Sequence, residues 1–218
     1  MAKAASGILG GFTNKLGNIV ARQRGGTLVY SVYQPNVANP NTERQQMWRY
    51  RWRVITQLGQ SCLNAVNDGF RYCKSADYSQ FNEFVKRNVN DVFTGSWPQL
   101  TLAYSKLVFA AGGLDLPFNP AATASETAIT FTWTDNSGIG NAKSTDMANV
   151  LIYNKSQHTA LFSNECAART AATFSYIFPT AWAGDEVELY FWMNAQDTDD
   201  NRKKKDCSPS VYLGNITL

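Results

Sequence analysis

Apolar positions recur every three or four residues from 48 to 70: Trp48, Trp52, Ile55, Gly59, Leu63, Val66 and Phe70. That period puts them in one stripe on a helix. The start of the helix is marked as well. Pro40 biases Asn39 toward extended backbone. Thr42 and Gln45 have the spacing of a capping box, and Glu43 falls in the first turn, where the helix dipole favours an anion. The pattern predicts a helix from 42 to about 68 or 72. Gly59 costs a helix interior about 1 kcal/mol relative to Ala, so a bend or a close helix contact is expected there. A second stripe, Tyr78, Phe81, Phe84, Val85, Val89, Val92 and Phe93, predicts a partner helix capped by Asp77 and ended by Thr94-Gly95-Ser96.

Beyond Trp97-Pro98 the period falls to two. Ile129-Thr130-Phe131-Thr132-Trp133 alternates cleanly, and Val187-Glu188-Leu189-Tyr190-Phe191-Trp192 carries a similar pattern. Strands are expected over 100–109, 128–134, 149–154, 160–164, 173–178, 186–195 and 210–218. Seven strands at this spacing suggest an immunoglobulin- or fibronectin-like antiparallel β-sandwich, with Trp133, Tyr153 and Tyr190 in its core. The Cys–Trp–Cys spacing of antibody domains is missing. Before the helices, Gly7, Gly10, Gly11, Gly17, Gly25 and Gly26 punctuate short apolar pieces. One of these, Thr27-Leu28-Val29-Tyr30-Ser31-Val32-Tyr33, is β-branched and aromatic, and Arg24-Gly25-Gly26 reads as the turn into it. The expected fold class is therefore α+β. A β arm and a two-helix hairpin would occupy 1–96, followed by the sandwich at 97–218. Two helices cannot bury both apolar faces by themselves; they must lean on the arm, on the sandwich or on another copy.

Composition sharpens this. The 218 residues are 44% hydrophobic but only 17% charged, against about 25% in ordinary soluble domains. A surface short of charge suggests burial in an assembly. The net charge of +3 is unevenly spread, because residues 98–218 hold 8 Lys/Arg and 12 Asp/Glu. Opposed halves suit head-to-tail stacking of copies. Cys62, Cys73, Cys166 and Cys207 have no metal-type spacing, and a helix would hold Cys62 and Cys73 about 16 Å apart, so free thiols are expected. No segment of the sequence is apolar enough to span a membrane or to act as a signal peptide.

Candidate chemistry is sparse. The Gly-Ile-Leu-Gly-Gly-Phe run at 7–12 lacks the Gly-Lys-Ser/Thr ending of a phosphate loop. The single histidine, His158, has no partner pattern for a triad, and no cluster has zinc spacing. No enzyme activity and no cofactor or metal is expected. The binding candidates are two. One is the basic, aromatic helix edge of Arg44, Trp48, Arg49, Arg51, Trp52 and Arg53, whose residue types dominate interface hot spots; nucleic acid is a lesser possibility for it, since no recognition motif accompanies the charge. The other is the pair of long loops 135–148 and 196–209. The second loop carries Asp199, Arg202, Lys203, Lys204 and Lys205 and is expected to be exposed at one end of the sandwich.

Several runs carry a resemblance: Gly7-Ile-Leu-Gly-Gly-Phe, Lys15-Leu-Gly-Asn-Ile-Val, Asn39-Pro-Asn-Thr-Glu-Arg-Gln, Tyr104-Ser-Lys-Leu, Phe131-Thr-Trp-Thr-Asp-Asn-Ser-Gly and Val150-Leu-Ile-Tyr-Asn. In order and spacing the chain resembles a family of uncharacterised proteins of about this length from Bacteroidota and their phages. It departs from that family at Asn41, where Arg is usual, and at Gln23-Arg24-Gly25, where Trp-Lys-Gly is usual. The resemblance implies a bacterial or phage origin and a non-enzymatic role. The leading expectation is a virion structural protein (capsid, decoration or head–tail component), assembled in the bacterial cytoplasm. Its partners would be copies of itself and other virion proteins, with no membrane involved. The alternative is an immunoglobulin-like module that recognises a glycan or a protein through its two long loops.

Overall fold

A computed structural model describes residues 3–4, 11–24, 26–73, 78–196 and 207–218. The class is α+β, with mostly antiparallel sheets. Contacts group the chain into two units, one holding the described residues up to 42 and the other those from 43 onward. The boundary expected at 96/97 joins the helices to the arm. The helices belong instead with the later strands, because they share a core with them.

The first unit is a meander in the order β1 (Lys3–Ala4), β2 (Phe12–Leu16), β3 (Ile19–Arg24) and β4 (Thr27–Val32). Leu16 pairs with Ile19 across a two-residue turn, in which Gly17 takes a positive φ of 58°. The Arg24–Thr27 pairing closes the next hairpin at the expected place.

The second unit begins with α1 (Glu43–Ser61) and α2 (Leu63–Gly69), a near-continuous pair broken at Cys62. A 3-10 turn at Arg71–Cys73 follows, and then α3 (Gln80–Asn88). The side chain of Ser79 caps α3 by accepting from Asn82 N; Asp77, the expected cap, lies outside the described residues. The helix stops before the predicted stripe does. The Asn88 amide donates to Phe84 O and Val108 O and accepts from Val108 N, which ties the helix end to the next segment.

The buried stripe of α1 and α2 is Ile55, Leu58, Cys62, Ala65, Val66 and Phe70. Gly59 makes the close helix contact that its cost predicted, since a Cβ there would lie 2.8 Å from the rings of Phe81 and Phe84 on α3. Trp52 and Leu63 fall outside the stripe and are exposed. Counting back four from Ile55 gives position 51, so it is Arg51, not Trp52, that turns inward.

After the small hairpin β5 (Phe93–Thr94) and β6 (Thr101–Leu102) come seven strands: β7 (Phe118–Ala124), β8 (Ala128–Thr134), β9 (Met147–Asn154), β10 (Thr159–Ala168), β11 (Thr173–Ile177), β12 (Glu186–Asn194) and β13 (Val211–Thr217). One sheet runs β10-β9-β12-β13 and the other β11-β8-β7. The strand expected at 100–109 is a two-residue strand followed by a 3-10 turn at Tyr104–Lys106. The true first strand of the three-stranded sheet, β7, holds Pro120 within an irregular register between Phe118 and Ala121. Proline is tolerated at such a bulge on an edge strand, where its missing N–H costs nothing.

The two sheets face each other. Ile129, Phe131 and Trp133 of β8 pack with Val150 and Ile152 of β9 and with Val187, Leu189, Phe191 and Met193 of β12. The alternate residues, Leu151, Tyr153, Tyr190 and Trp192, turn to the opposite face and pack with the helices. β9 and β12 are therefore buried on both faces. Trp133, Tyr153 and Tyr190 are core residues as expected, but the two tyrosines belong to the helix layer.

Candidate interaction surfaces

The helix α1 presents two different surfaces along its length. Near its start, Arg44, Arg49, Trp52 and Arg53 are exposed, with Trp52 half accessible. Trp48 and Arg51 are not part of this edge. Trp48 packs against the helix core. The Arg51 guanidinium lies 5.4 Å from the Trp48 ring and 5.4 Å from the Phe93 ring, and one of its N–H groups reaches Asn90 O at 3.4 Å. The expected six-residue edge is thus four residues of surface and two of support, because at 3.6 residues per turn the buried side set by Ile55, Leu58 and Cys62 also runs through 48 and 51.

Farther along, α1 forms one wall of an open groove of about 670 Å³. Val54, Leu58 and Leu102 supply apolar surface; Tyr104 and Tyr153 supply a stacked pair with ring centroids 5.9 Å apart and planes 30° apart. Thr56, Gln57, Gln60, Ser61 and His158 complete the lining. Burial pushes both phenols above their ordinary range, so both stay protonated at neutral pH.

His158 sits in the turn between β9 and β10 with a positive φ of 52°, and its Nδ1 lies 3.3 Å from Tyr153 Oη. Polar bonds behind the groove hold that turn. Asn154 Nδ2 donates to Asp185 Oδ2 at 2.7 Å, Gln157 N donates to Asn154 Oδ1 at 3.0 Å, and Gln157 Nε2 donates to the same Asp185 oxygen at 2.8 Å. None of the lining residues is a carboxylate, ammonium or guanidinium.

Two buried polar centres organise the rest of the unit, and the sequence signalled neither. Arg169 is fully buried. It donates from Nε and Nη2 to Asp146 Oδ2 at 3.2 and 3.0 Å, from Nη1 to Asn136 Oδ1 at 2.6 Å, and from Nη2 to Asp115 O at 2.8 Å. The loop 135–148, expected to be an exposed binding loop, is therefore anchored from inside by Asn136 and Asp146. In the second centre, Asp68 on α2 accepts from Trp192 Nε1 at 3.0 Å, from Asn194 Nδ2 at 2.8 and 3.0 Å, and from Arg71 at 2.9 Å. Burial pushes the Asp68 carboxyl above the ordinary carboxylate range against the opposing pull of Arg71 and Trp192. Asp199, Arg202, Lys203, Lys204 and Lys205 lie outside the described residues. None of the four cysteines forms a disulfide. Among the described residues no cluster of His, Cys, Asp or Glu could hold a metal ion, and no helix is long and apolar enough to cross a membrane.

The arm offers a third surface. Its register sets Leu16, Ile19 and Val32 side by side on one face, and all three are exposed, Val32 by 69%. Val29, Tyr30 and Val37 are exposed too, while Ala21 is the arm's one buried apolar residue among those described.

A comparison with curated proteins finds no match. A profile described as a family of unknown function (DUF6266) matches residues 11–214, which runs from β2 of the arm through the helices and into β13. The chain belongs to that family.

Proposed function

We propose that this chain is a structural component of a bacteriophage virion, a capsid, decoration or head–tail protein that works through subunit–subunit contacts. One observation carries the reading: the arm holds Leu16, Ile19 and Val32 on a single exposed face, and Ala21 is its one buried apolar residue among those described. Burying such a face against a neighbour stabilises the assembly by about 25 cal/mol for each Å² of apolar area covered. Charge supports a partner other than a second arm. Residues 1–42 hold Lys3, Lys15, Arg22 and Arg24 and no acid, so two arms repel, whereas residues 98–218 carry an excess of acid. The exposed Arg44, Arg49, Trp52 and Arg53 edge supplies a second contact of the type that anchors interfaces. The virion setting, and assembly in a bacterial cytoplasm, follow from the resemblance to proteins of Bacteroidota and their phages.

The facing sheets fit a fibronectin-type sandwich. The first, second and fifth strands form one sheet and the third, fourth, sixth and seventh the other, whereas the antibody constant type keeps its fourth strand with the first sheet. In that setting the sandwich is a spacer and the arm a connector. Analytical ultracentrifugation and negative-stain imaging of the full chain test the reading. The expected result is rings, shells or filaments that disperse on Ile19→Lys or Val32→Lys, substitutions at exposed positions that leave the fold unchanged. A 24.2 kDa monomer at high concentration that is absent from purified virions would overturn it.

A further inference from the structure

We propose that the groove between α1 and the β9–β10 hairpin is a binding site for a neutral pyranose sugar. Its volume, about 670 Å³, lies within the range of small-ligand sites, roughly 300–1,000 Å³. The choice of ligand rests on what the lining contains and what it lacks.

The floor and inner wall are apolar: the Tyr104–Tyr153 pair with Val54, Leu58 and Leu102. The outer rim is a set of uncharged hydrogen-bonding groups, the amides of Gln57 and Gln60, the hydroxyls of Thr56 and Ser61, and the His158 imidazole. Each amide offers donors and an acceptor, while the Thr56 and Ser61 hydroxyls donate to Trp52 O and Gln57 O and present lone pairs that accept. A phosphate, carboxylate or ammonium ligand would find no charged side chain in the lining and would lose its hydration against apolar walls; the cation of Lys155, 5.6 Å from the Tyr104 ring, is already paired with Glu186 and Glu188. A wholly aliphatic ligand would bury the rim groups without partners. A pyranose matches both halves. Its C–H face carries slight positive charge and suits the negative face of an aromatic ring, and its hydroxyls donate and accept around the edge.

The site is also preformed. His158 holds a left-handed backbone conformation that a non-glycine residue rarely adopts. The Asn154, Gln157 and Asp185 bonds behind the turn keep it there, with the imidazole against Tyr153 Oη. Strained backbone that is fixed from behind is common where a side chain must be aimed. The Gln57 and Gln60 positions sit on the open face of α1, so they can be changed without disturbing the core.

Saturation-transfer NMR and calorimetric titration of the full chain test this, with methyl β-glucopyranoside, methyl α-mannopyranoside and cellobiose as neutral probes and glucuronic acid as the charged one. At least one neutral probe is expected to bind at millimolar concentration, with transfer strongest at its C–H face. Tyr104→Ala, and separately the pair Gln57→Ala with Gln60→Ala, should each weaken binding about tenfold or more. The glutamine pair should leave the melting temperature unchanged, which separates lost binding from lost fold. No transfer from any neutral probe would overturn the proposal, as would undiminished binding by the folded glutamine pair or equal affinity for glucuronic acid.

Discussion

Replacing Asp146 by Ala isolates one charge in the interior. Arg169 and Asp146 are 0% and 1% exposed, so neither charge can relax into water. The carboxylate oxygen Oδ2 takes Arg169 Nε and Nη2 and also accepts from Lys143 N at 2.8 Å. Without it the guanidinium keeps two oxygen acceptors, Asn136 Oδ1 and Asp115 O, but no buried carboxylate bonded to it. Removing one partner of a buried pair costs about 3–5 kcal/mol, because the remaining ion stays desolvated. With a urea m-value of about 2 kcal/mol/M, that cost moves the unfolding midpoint down by roughly 2 M. Tryptophan fluorescence follows the transition well, since Trp133 donates from Nε1 to Arg169 O at 2.7 Å and will sense the loss directly. Asp146→Asn keeps an acceptor but no charge and should fall between Ala and wild type. Arg169→Met with Asp146→Leu removes both ions and should cost less than Asp146→Ala alone, because no unpaired charge remains. A shift below about 0.5 M for Asp146→Ala, or a double variant less stable than that single one, would refute the reasoning.

Gly59→Ala gains about 1 kcal/mol in helix propensity but pushes a methyl to within 2.8 Å of the Phe81 and Phe84 rings, where overpacking costs about 1–3 kcal/mol; a lower urea midpoint is expected, and a higher one would mean the rings swing aside. Burial alone would raise the Glu83 carboxyl, but hydrogen bonds from Arg87 and Tyr78 outweigh it and hold the group below its ordinary range. A depressed folded-state value gives stability that is full above the ordinary carboxylate range and lost as pH falls through the folded value. Glu83→Gln should therefore flatten the acid side of a plot of stability against pH, and unchanged curvature there would count against this role. The Cys62 thiol is buried and pushed up by that burial, and Cys166 is pushed up to about 12 by the same cause. Both should resist alkylation at pH 8 in the native protein and react readily in urea, as mass spectrometry of the labelled peptides will report.

Much of the second unit could be read from spacing alone. The three-to-four period found the helices, and the run of β-branched and aromatic residues found most of the strands, because both follow from the side of an element that must be hidden. The failures share a cause: neighbours decided them. Trp52 looked like core and is surface, since the cross-layer contact fell on the turn containing Arg51. β7 escaped notice because Asn119, Pro120 and its alanines carry no strand signal, and its partner β8 alone defines it. Arg169, between alanines and a threonine, carries no sequence sign of burial; only the closure of the loop 135–148 onto it makes it interior. The groove was invisible for the same reason. Gln57, Tyr104 and His158 lie on three separate elements that fold together only when the helices settle on the four-stranded sheet. The arm was legible as β and as poor in core, because glycine and short apolar runs are a local property.

The double-sided burial of β9 and β12 has a consequence for how this family can vary. An ordinary outer strand shows tolerance at every second residue, like the gaps of a comb. Met147–Asn154 and Glu186–Asn194 have packed atoms above and below nearly every position. A deep mutational scan should therefore record two unbroken bands of intolerance there. The helices and the smaller sheet cannot drift independently in sequence, since each answers to the opposite side of the same two threads.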